Sequence, residues 1–223
     1  MILQDDVNGE VQIPDAITSI QTFRRWATSD ALPRHGRFSF LCGTFHMDLS
    51  MEELFTHNQV RLEYTTVLTG ITRSDGSGYF FPDRALLTNV RASLSTEPDG
   101  TFVFYDTIRS RRVRLKKSKE HGYVELVGAP DMVLEIVSES SVRKDYEILR
   151  ELYWKAKIAE YWLVDVRKGS LLFEILRCGP RGYVSIRRHT GGWLASSVFG
   201  RSFRLKQKTD PLGNPEYTLE VRK

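Results

Sequence analysis

The sequence predicts an α/β (α+β) fold, and three observations carry that prediction. Met132-Val-Leu134 and Ile136-Val137 make a short apolar run rich in β-branched residues, the pattern of a buried strand. A helix to about Lys157 follows, with Ile148, Leu149, Leu152, Tyr153 and Ala156 on one stripe, and after it a second apolar strand, Tyr161 to Asp165. Strand, helix, strand in that order implies a crossover and hence parallel pairing. From Gly169 onward the pattern is β again, over Leu171 to Leu176, Tyr183 to Arg188, Trp193 to Val198 and Phe203 to Lys206.

The elements before that unit read as follows. Residues 1–16 are a loose arm. Ser19 to Ala27 is a short helix with Ile20, Phe23 and Trp26 on one face, broken at Pro33 to Gly36. Arg37 to Leu49 alternates around Phe38, Phe40, Leu41 and Phe45 and is a strand. Ser50-Met-Glu-Glu53 has capping-box spacing, in which a hydroxyl and a carboxylate three residues on satisfy free backbone donors. A helix should run from there to about Thr69 and stop at Gly70, with Leu54, Val60, Tyr64, Val67 and Leu68 as its apolar face. His57 and Asn58 fall on the other side, so His57 is either a surface histidine or a support for a site. Tyr79-Phe-Phe81 and Arg84 to Val90 are strands, and the turn Glu97-Pro-Asp-Gly100 leads into a buried one, Thr101 to Tyr105. Thr209 to Lys223 contains Pro and Gly and reads as peripheral. The implied organisation is an arm with a short helix over 1–36, one domain over 37–207 and a tail over 208–223.

Composition bounds the function. With 223 residues, 41% of them apolar and 27% charged, the chain has the make-up of an ordinary soluble globular protein. No stretch reaches the roughly 18 consecutive apolar residues of a membrane span. The first residues lack the basic start and apolar middle of a signal peptide, and Cys42 and Cys178 form no metal-ligand cluster, so the expected compartment is the cytoplasm. The net charge of +4 is unevenly spread. In the basic run from Arg109 to Lys119, Arg112, Arg114 and Lys116 alternate with Val113 and Leu115, which puts those three on one face of an extended segment. Such a ribbon is either an edge strand whose charges block aggregation or a binder of phosphate.

The chemistry gathers around Gly128 to Ser138. Glu135 lies inside an apolar run, where a carboxylate is costly unless it has a basic partner or holds a metal. Pro-Asp precedes an apolar strand twice, at Asp99 and at Asp131. Hydrolysis of a phosphodiester needs a cation to polarise the phosphate and a water made nucleophilic. Mg²⁺ keeps several waters, so two carboxylates such as Asp99 and Glu135 are enough to hold it. No cofactor loop or nucleophile motif is visible.

Gly128-Ala-Pro-Asp-Met-Val-Leu-Glu-Ile-Val-Ser-Glu-Ser-Ser141, with Asp145, Leu152-Tyr153 and Glu160-Tyr-Trp-Leu-Val-Asp165, resembles the Uma-two family of restriction endonucleases, part of the PD-(D/E)XK nuclease superfamily. The resemblance runs from about Phe38 to Leu205 and includes Glu52 to Asn58 and Glu97-Pro-Asp99. It implies a restriction-endonuclease-like fold, a central mixed sheet flanked by helices with extra C-terminal strands. It implies DNA as substrate, Mg²⁺ or Mn²⁺ as cofactor, and a homodimer if both strands are cut. Asp99 and Glu135 match the family's metal-binding acids, and Asp131 matches the second Pro-Asp, where it serves the site or closes the turn. The superfamily lysine two residues after the glutamate is Val137 here, and the lysine that the family supplies four residues after Asp145 is Leu149. Lys144 is the nearest remaining lysine able to assist the nucleophile, with Lys155 behind it. Ser138 and Ser141 either bond near the site or cap the helix.

Overall fold

The computed structural model describes residues 2–5, 9–12, 17–33, 35–118 and 122–223. Strands β1 (Ile2–Asp5) and β2 (Gly9–Gln12) pair antiparallel where the sequence suggests only a loose arm. Helix α1 (Ile20–Ala27) is capped by Ser19, whose hydroxyl accepts from Thr22 N at 3.2 Å, and it buries Ile20, Phe23 and Trp26 as expected. The predicted strand over 37–49 is a hairpin, β3 (Arg37–Leu41) and β4 (Thr44–Asp48), because Cys42 and Gly43 both adopt positive φ and turn the chain.

The capping box does not form as expected. The Ser50 hydroxyl donates instead to Asp48 Oδ1 at 2.6 Å, and Glu53 is the cap, accepting from Thr56 N. A π-helical turn, Leu54–Gln59, precedes α2 (Val60–Asp75). α2 runs through Gly70 and ends at Gly76 in the left-handed conformation, since burial of Thr72 beyond Gly70 outweighs a penalty of about 1 kcal/mol for one helical glycine. Leu54, expected on the apolar face, is exposed.

Next come β5 (Gly78–Pro82), β6 (Leu86–Asn89), β7 (Leu94–Thr96) and β8 (Gly100–Phe104), then the short α3 (Tyr105–Arg109). β9 (Val113–Lys117) and β10 (Tyr123–Gly128) follow as an antiparallel pair. Lys119 of the basic run lies outside the described residues. Gly128 has φ +137, and a Cβ there would lie 1.9 Å from Arg112 O, so only glycine lets β9 approach this closely. β11 (Met132–Ile136) leads through a second π-helical turn, Lys144–Leu149, and α4 (Arg150–Lys155) to β12 (Glu160–Asp165). β13 (Leu172–Gly179), β14 (Gly182–Ser185), β15 (Leu194–Ser196), β16 (Arg201–Thr209) and β17 (Pro215–Arg222) complete the chain.

The central sheet has the order β14-β13-β12-β11-β8-β5, with β11 and β12 parallel as the crossover requires and the other neighbours antiparallel. A second sheet, β4-β3-β7-β6-β10-β9, and a third, β15-β16-β17, pack around it. Alternate residues of β11 and β12 serve two cores. Val133, Tyr161 and Leu163 meet Leu149, Leu152 and Tyr153 on one face. Met132, Leu134, Trp162 and Val164 meet Val60, Tyr64 and Leu68 of α2, with Phe203 and Leu219 from the third sheet, on the other. The segment from Thr209 is therefore not peripheral: Tyr217 and Leu219 of β17 are buried, and Leu219 N donates to Glu63 Oε1 at 2.7 Å. Among the described residues no helix is long and apolar enough to cross a membrane.

Candidate active site

β8 and β11 pair antiparallel with Leu134 opposite Gly100, so one further step sets Asp99 opposite Glu135. Opposite residues of an antiparallel pair share a face, here the face toward α4. Asp99 closes on its neighbour strand by accepting from Ile136 N at 2.8 Å. Its Oδ2 lies 3.5 Å from His57 Nε2, and its Oδ1 lies 3.2 Å from Arg37 Nη1. Burial alone would raise the Asp99 carboxyl, but His57, Arg37 and the Ile136 amide together hold it well below the usual carboxylate range.

Glu135 has the opposite balance. Burial pushes its carboxyl well above the usual range, the charges of Asp145 and Asp99 push the same way, and Lys144 and the Tyr153 hydroxyl work against them. Tyr153 donates to Glu135 Oε1 from the buried stripe of α4. Lys144 Nζ stands 3.5 Å from Asp145 Oδ1. Burial disfavours its charge, but Asp145, Glu135 and Asp99 outweigh that and raise its pKa above the ordinary lysine value. Asp145, buried beside these acids, is pushed up to about 6, although Lys144 and the Ser141 hydroxyl oppose the shift.

Both π-helical turns deliver site residues. The wider turn over 54–59, visible in the Asn58 N to Glu53 O bond of 3.1 Å, carries His57 inward, so it is buried rather than on the solvent side. The turn over 144–149 carries Lys144 and Asp145 toward the acids and Leu149 into the core, fully buried. Leu149 thus packs with Leu152 and Tyr153, as its place on the helical stripe predicts. Lys155, exposed and paired with Glu151 at 2.6 Å, shares no contact with these acids.

Sequence reasoning missed Arg37. Its guanidinium bridges Asp99, Asp83 at 3.2 Å and Glu52, and those three acids outweigh burial and hold it charged. Burial would raise Glu52, but hydrogen bonds from Arg61 and Arg37 bring it down to about 2. An arginine opening a strand gives no signal of this, because its three partners, Glu52, Asp83 and Asp99, lie in three loops far apart in sequence.

Asp131 is committed elsewhere. It accepts from Phe104 N at 2.8 Å, Thr107 Oγ1 at 2.9 Å and Arg112 Nη2 at 3.2 Å, tying α3 to the start of β11 at the far end from Glu135. Ser138 N donates to Ser141 Oγ at 2.9 Å, and Ser138 borders the space beside Asp99. Arg114 and Lys116 sit on β9, the edge of the second sheet, and Arg112 immediately precedes it. Arg112 meets Asp131, Lys116 Nζ is 3.6 Å from Glu125 Oε2, and Arg114 is exposed.

The residues present fit a divalent cation. Asp99 Oδ1 and Asp145 Oδ1 are buried carboxylate oxygens that face only the cations Arg37, at 3.2 Å, and Lys144, at 3.5 Å, and carboxylate oxygen is the donor a hard cation takes. Among the described residues no three His, Cys, Asp or Glu side chains are grouped to hold a metal, and Mg²⁺, which keeps several waters, needs only one or two carboxylates.

A family model described as "Uma2: Putative restriction endonuclease" matches residues 20–206. No curated protein matches the chain. Among solved structures the chain is similar to one from Anabaena variabilis described as "a putative nuclease belonging to DUF820", at 15% identity and a TM-score of 0.55, over 73% of this chain and 83% of that one.

Proposed function

The chain belongs to the Uma2 family, and from that premise we propose that it is a metal-dependent nuclease hydrolysing phosphodiester bonds of DNA. The observation that carries this reading is Asp99 set beside Glu135 across two paired strands with Lys144 charged against them. Asp99 and Glu135 would hold Mg²⁺ or Mn²⁺, which when bound supplies the Lewis acidity that polarises a phosphate and acidifies water. His57 and Arg37 keep Asp99 ionised, and Tyr153 fixes the orientation of the Glu135 carboxyl. Lys144, beside Asp145 at 3.5 Å and with its pKa raised by the surrounding acids, would orient water and neutralise developing charge.

The test is cleavage of plasmid and single-stranded DNA with Mg²⁺ or Mn²⁺. Glu135→Ala should keep its fold by circular dichroism, since it removes an unfavourably buried carboxyl, and should lose cleavage. Retained cleavage in that variant defeats the assignment. The buried Leu149 favours a second reading, a non-catalytic member of the fold that binds nucleic acid or a protein, and no cleavage by wild type with either metal would make it the better one.

The β9 edge is proposed to add affinity for phosphate without sequence preference. Changing Arg112, Arg114 and Lys116 together to Gln should lower the slope of log affinity against log salt by about 0.9 for each that meets a phosphate. An unchanged slope makes β9 a plain charged edge.

A further inference from the structure

Three spaces lie in a row across the site. One of about 200 Å³ is bordered by Arg37, His46, Asp48, Glu97, Ser140 and Lys144. Another of about 400 Å³ is bordered by Ser50, Met51, His57, Ser140, Arg167 and Lys168. Between them, at Asp99, Lys144 and Ile136, only about 30 Å³ is open. That is room for about two waters, at about 10–15 Å³ of such space for each, and too little for a phosphodiester.

What separates the spaces is a hydrogen-bonded bridge. The Ser140 hydroxyl donates to Asp48 Oδ2 at 2.7 Å, the Ser50 hydroxyl donates to Asp48 Oδ1 at 2.6 Å, and the two hydroxyls are 3.0 Å apart. Ser50 and Ser140 are exposed and Asp48 is half-buried, and the three bonds face solvent, so water can replace each of them. The segment carrying Ser50 is neither helix nor strand from 49 to 53, and Met51 is 96% exposed, so little packing holds it down. Glu52, bound by Arg37 and by Arg61 Nη2 at 2.6 Å, anchors its far side.

We propose that the Asp48–Ser50–Ser140 bridge is a gate across one continuous groove, which opens to take a single extended phosphodiester strand past Asp99 and Lys144. The inference rests on the nuclease reading for its ligand. Arg37 and Lys144 border one side with Glu97, and Arg167 and Lys168, both paired with Glu139, border the other, so each side of the bridge offers cations that a phosphate can draw from their carboxylates. Spaces of about 200 and 400 Å³ have the volume of small-molecule sites, enough for a nucleotide on each side of the bridge.

A disulfide tests the gate. In the full chain with exposed Cys42 changed to Ser, Ser50→Cys with Ser140→Cys brings two thiols together where the hydroxyls now meet. The oxidised form should bind a fluorescent oligothymidylate at least about tenfold more weakly than the reduced form, with reduction restoring binding. Equal binding by the two forms overturns the gate, and equal affinity of the reduced protein for duplex and single strand overturns the single-strand assignment. Amide hydrogen exchange over 49–53 reads the gate without any ligand: it should quicken in Asp48→Ala and slow in the oxidised form. If the reduced protein binds no DNA, the nuclease reading fails, and unchanged exchange in both variants fails the gate.

Discussion

Lys144→Ala is expected to lose roughly two orders of magnitude in cleavage, the scale for removing one positioned proton donor or acceptor. The fold should persist. Lys144 is 27% exposed and contributes charge rather than packing, and the acids it faces can take up protons when it is gone. Metal should still bind through Asp99 and Glu135, which isothermal titration with Mn²⁺ measures separately from turnover. Lys144→Arg, which keeps the charge, should retain more activity than the Ala variant, although the planar guanidinium fits the acids differently. Equal cleavage by wild type and Lys144→Ala would remove this residue from the reaction.

The second large effect concerns stability and is independent of catalysis. Glu160 is fully buried at the start of β12 and accepts five hydrogen bonds. They come from Trp162 Nε1 at 2.9 Å, Ser196 Oγ at 2.6 Å, Ser197 N at 2.6 Å, Ser197 Oγ at 2.8 Å and Val198 N at 3.1 Å. One carboxylate therefore fixes the loop after β15 onto the central sheet. Glu160→Ala leaves Trp162 Nε1 and Ser196 Oγ buried without this acceptor, at about 1–3 kcal/mol each, while water can reach exposed Ser197. A total loss of about 4 kcal/mol would lower Tm by about 8–16 °C in a domain of this size. Glu160→Gln, which keeps one acceptor oxygen, should lose less. A Tm within about 2 °C of wild type for Glu160→Ala would mean that the loop repacks, since that shift corresponds to no more than about 1 kcal/mol.

The fold was legible where local pattern and burial agree. The β11–α4–β12 unit announces itself because a strand buried on both faces is apolar at every position except where a charge has a purpose, and Glu135 was that exception. Gly70 misled because a propensity penalty is small beside packing, and β17 misled because Pro and Gly at a strand's edge resemble a tail. His57 was placed on the wrong side because the reading assumed 3.6 residues per turn through a segment that winds more widely. Leu149 was read correctly from its stripe. Arg37 and the Asp48–Ser140 bridge were invisible, since residues 92 positions apart meet only through tertiary structure.

The bond from Leu219 to Glu63 joins residues 156 positions apart, and β17 supplies the apolar wall against which α2 rests. Contacts of such long separation are reached late, because the chain loses its loop entropy before it gains any packing. During synthesis α2 and the central strands precede β17, so Val60, Tyr64 and Leu68 can meet Leu134 and Trp162 before Tyr217 and Leu219 complete their apolar wall. The face of the sheet opposite Asp99 and Glu135 is thus closed by the strand of longest sequence separation, which makes β17 a late contributor to the core.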